Sequence, residues 1–566
     1  MLRRAWREGA TVFVMAALLA VVMTWPTALR LGSVGRVDTG DGQFSIWVVS
    51  WVARTVVADP AHLYDANIFY PRRGTLAYSE TFLVPGLLAV PGYWLTRNPH
   101  VAHNSSLLLC LVFAFVGTYY LVRYLTRSRP AAAVAAVLFA FCPYEFARTA
   151  HIHLMMTAGL PFTLLAFPRL VDRPGPWRAV ALGAALWLAS LSAGYYGVFA
   201  GLLCAGGSVF YLVSRGYWRE WRYYLWVGAA ALVAVALVWP FFKPFLALAA
   251  TAGPLRTLEE ATGWSADWRS YLASAGMGHR WMLPLIKPWN EVLFPGFVAI
   301  VLGLAGVWVG IAAARARRSP PAPPAAAGVA DPAANRPRVP ESVLFYSLVA
   351  LVSAWISFGP AGGLYSLLYR LVPVFTFLRA PARMGLLVTL ALAVLSGIAV
   401  ARFLEGRRRA AWMAAAIAAI ALVELNQLPL RFRNVPPTSQ VYRVLSTLPR
   451  GGLAEFPYFY RRIDFHRHTY YMINSAWHWQ PLLNGYSDYI PPDFATKVDD
   501  MNSFPSPVAF RLLREHQARY VVVHRNFYHH RALPGVLERL ASYGDHLRPL
   551  AEDANNMLFE IVSWPE

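Results

Sequence analysis

The chain has 566 residues, of which 57% are hydrophobic and only 14% carry a charge. A soluble chain of this length rarely has such a composition, whereas a chain with many apolar runs of about 20 residues does. The formal net charge of +21 would suit nucleic-acid binding, but the arginines cluster in short loops between apolar runs, which is the pattern that orients membrane insertion. We therefore expect a polytopic protein of the lipid bilayer that binds no nucleic acid.

Apolar segments long enough for membrane helices recur along the chain. They lie near residues 10–30, 105–122, 131–147, 152–168, 179–194, 196–213, 224–242, 293–313, 343–359, 384–401 and 410–427. Alternate connections carry clusters of arginine, as the N-terminus does. Placing every cluster in the cytoplasm predicts about 11 transmembrane helices in the cytoplasmic membrane, a cytoplasmic N-terminus and an extracytoplasmic C-terminus.

One further apolar segment, 81–97, is short for a span and contains two Pro-Gly pairs. If it crossed the membrane, every later arginine cluster would face outward, so an interfacial or re-entrant helix fits better. The first outer loop then runs from 31 to 104. A stretch rich in proline and alanine predicts a disordered cytoplasmic linker at 319–340.

From about residue 430 the composition becomes a mixture of polar and apolar residues. The segments 452–456, 518–524 and 557–562 are predicted strands, and 510–517 is a predicted helix. The sequence therefore predicts a mainly α protein, with a transmembrane helical bundle over 1–429 and a small extracytoplasmic α/β domain over 430–566.

Two carboxylates lie on a glycine-rich turn just after the first apolar segment. Asp38 and Asp41 belong to the sequence Val-Asp-Thr-Gly-Asp-Gly-Gln at 37–43. Carboxylates beside lipid are costly to hold and are usually functional, and this pair suits a general base with a metal-binding or orienting partner. The alternative is a solvated turn, since Asp and Gly favour turns. The apolar stripe of 43–57 argues against that, because it predicts a helix on the membrane surface that holds the turn in place.

Polar and aromatic residues also gather in other predicted outer segments. Aromatic rings beside hydrogen-bonding groups suit a sugar or a lipid headgroup, although an ordinary interfacial belt has the same composition. The candidate substrate-binding residues are His62, Glu80, His151, His153, Tyr195, Tyr196, Trp479, Asn484 and Tyr486. On a helix the rings of the histidines at 151 and 153 would point about 200° apart, so no metal site is predicted there.

Arg379 and Arg383 stand four residues apart at the end of the predicted third outer loop, which runs from about 360 to 383. An arginine pair at a helix start suits a phosphate group; the alternative is that both side chains simply extend to the membrane interface. The patterns of a P-loop, of GxSxG and of HExxH do not occur in the sequence.

In this layout the chain resembles the GT-C glycosyltransferases, integral membrane enzymes that use polyprenyl-phosphate-linked sugars. The resemblance lies in the acidic motif after the first span, the long first outer loop, the many following helices and the outer C-terminal domain. The stretches that carry it are Asp41-Gly-Gln43-Phe-Ser-Ile-Trp47, Phe69-Tyr-Pro71, Asn484-Gly-Tyr486 and Tyr520-Val-Val-Val-His524. It implies a helical bundle of GT-C type.

The resemblance implies that Asp41 is the catalytic base and that Arg379 or Arg383 holds the lipid phosphate. The reaction would be an inverting transfer from a polyprenyl-phosphate-linked sugar donor to a glycan, lipid or protein acceptor on the outer face of the membrane. In the better-understood members an acidic pair, often adjacent Asp-Glu, occupies the place of Asp38 and Asp41. The wider spacing here leaves open which carboxylate is the base, and whether a divalent cation is a cofactor.

Two other functions fit a membrane protein of this size. A transporter or lipid flippase commonly has ionisable residues at mid-membrane depth, whereas here the charges gather at the outer rim of the predicted bundle. A non-catalytic relative that serves as an accessory protein of the cell envelope would have a dispensable acidic motif.

Overall fold

The computed structural model describes residues 2–252, 256–318, 339–430, 432–461 and 463–566. The linker predicted at 319–340 lies outside these residues except for its last two positions. The first part of the chain contains helices α1 to α17. Their bounds are α1 Leu2–Met23, α2 Gly40–Ala58, α3 Leu83–Thr96, α4 Pro99–Thr126, α5 Arg129–Ala140, α6 Pro143–Ala147, α7 Ile152–Met155, α8 Gly159–Asp172, α9 Pro176–Ser192, α10 Gly194–Arg215, α11 Trp221–Ala252, α12 Leu258–Gly263, α13 Phe297–Arg318, α14 Val339–Ser357, α15 Leu364–Leu371, α16 Gly385–Leu404 and α17 Ala410–Glu424.

Nine helical stretches of the described residues are long and apolar enough to cross a membrane. They are α1, α4, α5 with α6, α7 with α8, α10, α11, α13, α14 and α16. The other two predicted spans are also helical, but α9 has 17 residues and α17 has 15. At 1.5 Å per residue these helices are about 25 Å long or less, which is short of the roughly 30 Å hydrocarbon core.

Helix α3 covers most of the ambiguous segment 81–97. It has 14 residues and contains Pro91, so its length of about 21 Å does not reach across the hydrocarbon core. Helix α3 packs along α2 and α4, on the side of the bundle where the acidic turn lies.

Helix α2 differs from the prediction in what surrounds it. The predicted apolar stripe is buried, but residues on the opposite face, such as Ile46, Val49 and Val52, are fully buried as well. The expectation of a helix lying on the membrane surface is therefore wrong. Helix α2 packs between α3 and α4 on one side and the C-terminal domain on the other, and it joins the two parts of the protein.

The C-terminal domain is built on a four-stranded sheet in the order β3-β4-β6-β5. Its elements are α18 Gln440–Leu445, β3 Gly452–Phe456, α19 His468–Ser475, α20 Pro492–Asn502, α21 Pro507–Glu515, β4 Ala518–His524, α22 Leu533–Ser542, β5 Leu547–Glu552 and β6 Asn556–Ile561. Strands β3 and β4 are parallel and the other two pairs are antiparallel. Two short strands, β1 Val34–Gly35 and β2 Arg433–Asn434, tie the segment after α1 to the start of this domain. The predicted fold class, a mainly helical multi-pass membrane protein with a small C-terminal α/β domain, is confirmed.

Asn67, in the segment between α2 and α3, shows how the two parts are held together. Its side-chain oxygen accepts a hydrogen bond from the Trp47 indole at 3.1 Å, and its amide nitrogen donates to Ser475 and to the Gln480 carbonyl. All three hydrogen bonds are buried. The acidic turn at the start of α2 is thereby held against the C-terminal domain.

Candidate active site

The acidic turn forms the N-terminus of α2. The Thr39 side chain caps the helix and accepts a hydrogen bond from the Gly42 amide at 3.1 Å, as N-cap threonines do. The Gln43 side chain donates to the Val37 carbonyl at 2.8 Å and so closes the turn. Asp41 lies in the first helical turn, where the helix dipole favours a negative charge.

Gly42 is required by a close approach of two backbone segments. A Cβ atom at this position would lie 2.0 Å from the Arg36 carbonyl oxygen, so even alanine forces the turn to move. We expect Gly42→Ala to lower the free energy of unfolding by about 1–3 kcal/mol, which thermal unfolding of the purified protein measures. Gly201→Ala is the matched control, because a Cβ there meets no atom within 4 Å. Equal unfolding temperatures for the two variants would contradict this account.

Asp41 is ionised and points into a half-open cluster of polar residues. His151 Nε2 lies 3.3 Å from its Oδ2 atom, and the carboxylate side chain is 52% exposed. The hydrogen bond from His151 lowers the pKa of Asp41 below its ordinary value, and the charges of Arg379 and His466 lower it further, against the opposing effect of partial burial. Because the pKa is lowered, the carboxylate keeps its charge to a more acidic pH than a free Asp would.

Both predicted phosphate arginines lie against Tyr195 at the start of α10. The backbone amide of Arg379 donates to the Tyr195 hydroxyl at 3.0 Å, and the Arg379 guanidinium lies over the Trp264 ring, 5.4 Å from its centroid. The guanidinium of Arg383 stacks on the Tyr195 ring at 4.2 Å. Tyr195 therefore contacts both residues, the backbone of Arg379 and the guanidinium of Arg383.

Arg383 is a buried cation. It is 8% exposed, and among the described residues no carboxylate lies within 4.0 Å of its guanidinium and its Nε atom has no hydrogen-bond partner. Burying a guanidinium away from water without an anion is costly. An anionic ligand bound at Arg383 would supply the opposite charge and accept the free Nε hydrogen bond.

Two further carboxylates lie close to the arginines. Glu80 accepts hydrogen bonds from the Gly194 amide at 3.2 and 3.3 Å. Burial raises the pKa of Glu80, although this backbone hydrogen bond and the nearby charge of Arg383 oppose the rise. Asp488 lies 3.6 Å from both Arg379 and Arg256. The cluster therefore combines cations with acids, and Arg383 is the arginine of the three, among the described residues, that has no carboxylate within 4.0 Å.

Three contributors to this cluster are absent from the predicted site residues. Asp488 lies two residues after the predicted Tyr486, so the sequence pattern that marked Tyr486 could also have marked Asp488. Burial, together with the charges of Asp41 and Asp488, raises the pKa of Tyr486 to about 12. His466 lies against the acidic turn, since a Cβ on Gly40 would be 2.9 Å from the His466 Cβ; no local pattern marks it. Arg256 lies in the segment 243–290, a predicted outer loop, and only the fold brings it to Asp488.

His153 lies behind His151, away from the opening of the cluster. Its ring stacks on Phe82 with centroids 4.2 Å apart, and the two histidine rings are 6.1 Å apart. The Nδ1 atom of His153 is buried with no hydrogen-bond partner among the described residues. Tyr196 is fully buried, and its hydroxyl donates to the Leu154 carbonyl; it supports the cluster from beneath.

Asp38 does not face Asp41 as a second free carboxylate. Its Oδ1 atom pairs with Arg36 Nε at 3.0 Å, and Arg36 also donates to the Thr149 hydroxyl at 2.7 Å. Within the described chain no group of three or more His, Cys, Asp or Glu side chains is arranged to hold a metal ion. These contacts make Asp38 a residue that fixes the turn; its catalytic role stays a prediction.

Three predicted substrate-binding residues lie apart from the cluster. His62 pairs with Asp59 beyond the C-terminal end of α2, and this helix of 19 residues puts it about 28 Å from Asp41. The Trp479 indole donates to the Tyr93 hydroxyl at 2.9 Å. Asn484 is fully buried and bonds the main chain of Glu455 through both side-chain atoms. The structure uses Trp479 and Asn484 to hold the C-terminal domain, and a substrate contact for the three stays a prediction.

No family model matches the chain, and no curated protein sequence does. Among solved structures it is similar to the oligosaccharyltransferase AglB from Archaeoglobus fulgidus in complex with an inhibitory peptide and a dolichol-phosphate, with 13% identity and a TM-score of 0.48 over 93% of this chain and 70% of the other. A structure of the A. fulgidus enzyme in complex with Zn and sulfate has a TM-score of 0.46 at 14% identity, over 97% of this chain and 72% of the other. ArnT from Cupriavidus metallidurans bound to undecaprenyl phosphate is similar at 14% identity and a TM-score of 0.46 over 98% of both chains.

Proposed function

We propose that this protein is a membrane glycosyltransferase that moves a sugar from a polyprenyl-phosphate donor to a glycan, lipid or protein acceptor, with inversion at the anomeric carbon. One observation carries the proposal. The ionised carboxylate of Asp41 shares a polar cluster with Arg379 and with Arg383, a buried cation that has no carboxylate of the described chain within 4.0 Å of its guanidinium.

The arginines suit the donor phosphate. A phosphodiester that links a sugar to a polyprenyl chain carries a negative charge, and arginine binds phosphate oxygens through charge-assisted hydrogen bonds. Arg383 has a free Nε donor for such an oxygen, and Arg379 has a guanidinium that Asp488 approaches only to 3.6 Å. The apolar helices around the cluster would let the polyprenyl chain stay in lipid.

Asp41 suits the role of base toward the acceptor. Its carboxylate would take the proton of the acceptor hydroxyl while the hydroxyl oxygen forms a bond to the anomeric carbon. The bond from that carbon to the phosphate oxygen breaks, and polyprenyl phosphate leaves with the electron pair. A phosphate leaving group needs no strong acid, only nearby positive charge, which Arg379 and Arg383 supply. His151 would orient the Asp41 carboxylate through its contact at 3.3 Å.

The residues of the acidic turn do not fit a divalent cation in their described arrangement. Asp38 is engaged by Arg36, which leaves Asp41 as the single free carboxylate of the turn. No step of the proposed reaction is therefore routed through a metal, and the cation stays a prediction from the resemblance.

The function is tested with the donor itself. Purified protein in nanodiscs is supplied with polyprenyl-phosphate hexoses and pentoses, with envelope membranes as the acceptor source, and the release of polyprenyl phosphate is measured. We expect release from at least one polyprenyl-linked donor and none from the corresponding sugar nucleotides. Turnover of sugar nucleotides alone, or of no donor, would contradict the proposal.

The sidedness of the protein is tested separately. We propose that the C-terminal domain and the acidic turn lie outside the cytoplasmic membrane, since the arginine clusters lie at the other ends of the helices. Alkaline phosphatase fused after Pro436 is expected to be active, because that enzyme requires the oxidising compartment outside. The same reporter fused after Arg318 is the control and is expected to be inactive. The reverse pattern would place the cluster on the cytoplasmic side.

A further inference from the structure

A large cavity opens at the end of the bundle that lies far from the acidic turn. Its volume is about 1300 Å³, and the C-terminal ends of α4, α8 and α10, one face of α9 and the start of α14 line it. Its inner walls are apolar and include Phe162, Leu165 and Leu188. Six arginines border it, namely Arg123, Arg127, Arg169, Arg173, Arg178 and Arg215. We call it the arginine cavity.

The arginine cavity and the Asp41 cluster lie at opposite ends of the same helices. The first turn of helix α10 contains Tyr195, which contacts Arg379 and Arg383, and the helix ends with Arg215 at the cavity. Its 22 residues span about 33 Å, which is close to the thickness of the hydrocarbon core. The two sites therefore lie at opposite faces of the bilayer.

The cavity keeps an excess of positive charge. Arg215 forms ion pairs with both carboxylates of the lining. Its Nη1 atom lies 2.6 Å from Asp172 Oδ1, and its Nε atom lies 3.0 Å from Glu341 Oε1. Arg123 pairs with Glu8 outside the lining. In the part of the chain that the structure describes, Arg169, Arg173 and Arg178 form no ion pair within 4.0 Å.

The three unneutralised arginines belong to the end of α8 and the start of α9. The Arg169 guanidinium lies over the Tyr124 ring, 5.1 Å from its centroid, and the Arg178 guanidinium donates to the Arg173 carbonyl at 2.7 Å. These contacts hold two of the side chains at the mouth of the cavity. They leave the positive charge itself without an anion.

We propose that the arginine cavity binds the headgroup of an anionic glycerophospholipid from the adjacent leaflet. Basic pockets between membrane helices suit phosphate headgroups, and guanidinium groups bind phosphate oxygens well. The apolar walls below the arginines would accept the start of the acyl chains. A soluble anion would bind the arginines but would leave the apolar walls without a partner. A lipid, which has both a charged headgroup and apolar chains, fits both parts of the cavity. The site is independent of sugar transfer.

The test is a titration of detergent-solubilised full-length protein with phosphatidylglycerol and, separately, with phosphatidylcholine. We expect the wild-type protein to bind phosphatidylglycerol more tightly. The triple variant Arg169→Gln, Arg173→Gln and Arg178→Gln is expected to bind it about a hundredfold more weakly. The matched control is a second triple variant, Arg402→Gln, Arg408→Gln and Arg409→Gln, which removes three arginines in the last turn of α16 and in the loop after it. This variant is expected to retain most of the affinity.

The single variant Arg173→Gln tests the same point should the triple variant not fold, because its side chain is exposed; a fivefold weakening is expected, at about 1 kcal/mol per charge. Three results would overturn the proposal: equal affinity of the wild-type protein for both lipids, equal weakening in the two triple variants, or preferential binding of undecaprenyl phosphate at this cavity.

Discussion

Replacing Asp41 by asparagine is expected to lower the turnover of the polyprenyl-phosphate donor by about a hundred- to ten-thousandfold, the contribution of a positioned general base. The substitution keeps the shape of the side chain and removes only its charge and its capacity to accept a proton. The His151 contact at 3.3 Å is a surface interaction, and the Thr39 cap does not involve Asp41. The protein is therefore expected to stay folded, which its unfolding temperature checks.

The matched control for this variant is Asp59→Asn. Asp59 caps the other end of the same helix, is about half exposed and pairs with a histidine, His62, as Asp41 does with His151. It lies about 28 Å from the acidic turn, so its removal is expected to leave turnover nearly unchanged. Full activity in Asp41→Asn would rule out Asp41 as the base, and an equal loss in both variants would point to a structural effect on α2.

The second large effect is expected at Arg383. Arg383→Gln removes the buried cation that we assign to the leaving phosphate, so kcat/KM for the donor is expected to fall by about a hundredfold or more, the scale of losing one group that stabilises developing charge. Arg379→Gln is expected to have a smaller effect, because Arg379 is more exposed and is partly neutralised by Asp488. Steady-state kinetics with varied donor concentration separate the two variants.

Arg370→Gln serves as the control for the arginine variants. Arg370 belongs to the same outer loop, at the end of α15, and its side chain is exposed. Unchanged kcat/KM in this variant, with a large loss in Arg383→Gln, would locate the effect at the phosphate. A loss in Arg370→Gln as large as that in Arg383→Gln would show that the loop, and not the buried cation, determines the rate.

The membrane helices could be predicted because their signal is local. A run of about 20 apolar residues must satisfy its backbone hydrogen bonds internally and therefore forms a helix in lipid. The acidic turn was also visible, since its glycines and carboxylates stand within seven residues. What the pattern could not show is the partner of α2. The predicted stripe is covered by the C-terminal domain, where Tyr486 packs on Phe44 and Trp479 on Trp51, while Val52 on another face packs on Gly86 of α3. The C-terminal domain begins some 400 residues later, and no periodicity within 43–57 reports it.

The same limit applies to the candidate site. His466 and Arg256 reach the cluster only through long-range packing, so no spacing in the sequence joins them to Asp41. Strand β5 was not predicted for a different reason. Strand β5 contains Pro549, and its polar and apolar residues do not alternate regularly. An edge strand tolerates proline because its outer backbone groups need no hydrogen-bond partner. Strand β5 lies at the edge of the sheet.

We propose that Asp41 and the two arginines form one site for a lipid-linked phosphate. This is tested by a density map of the protein with bound undecaprenyl phosphate. We expect a phosphate within hydrogen-bonding distance of the Arg383 and Arg379 guanidinium groups, on the side of the cluster that faces Asp41. A phosphate bound elsewhere, with these two arginines still unoccupied, would contradict it.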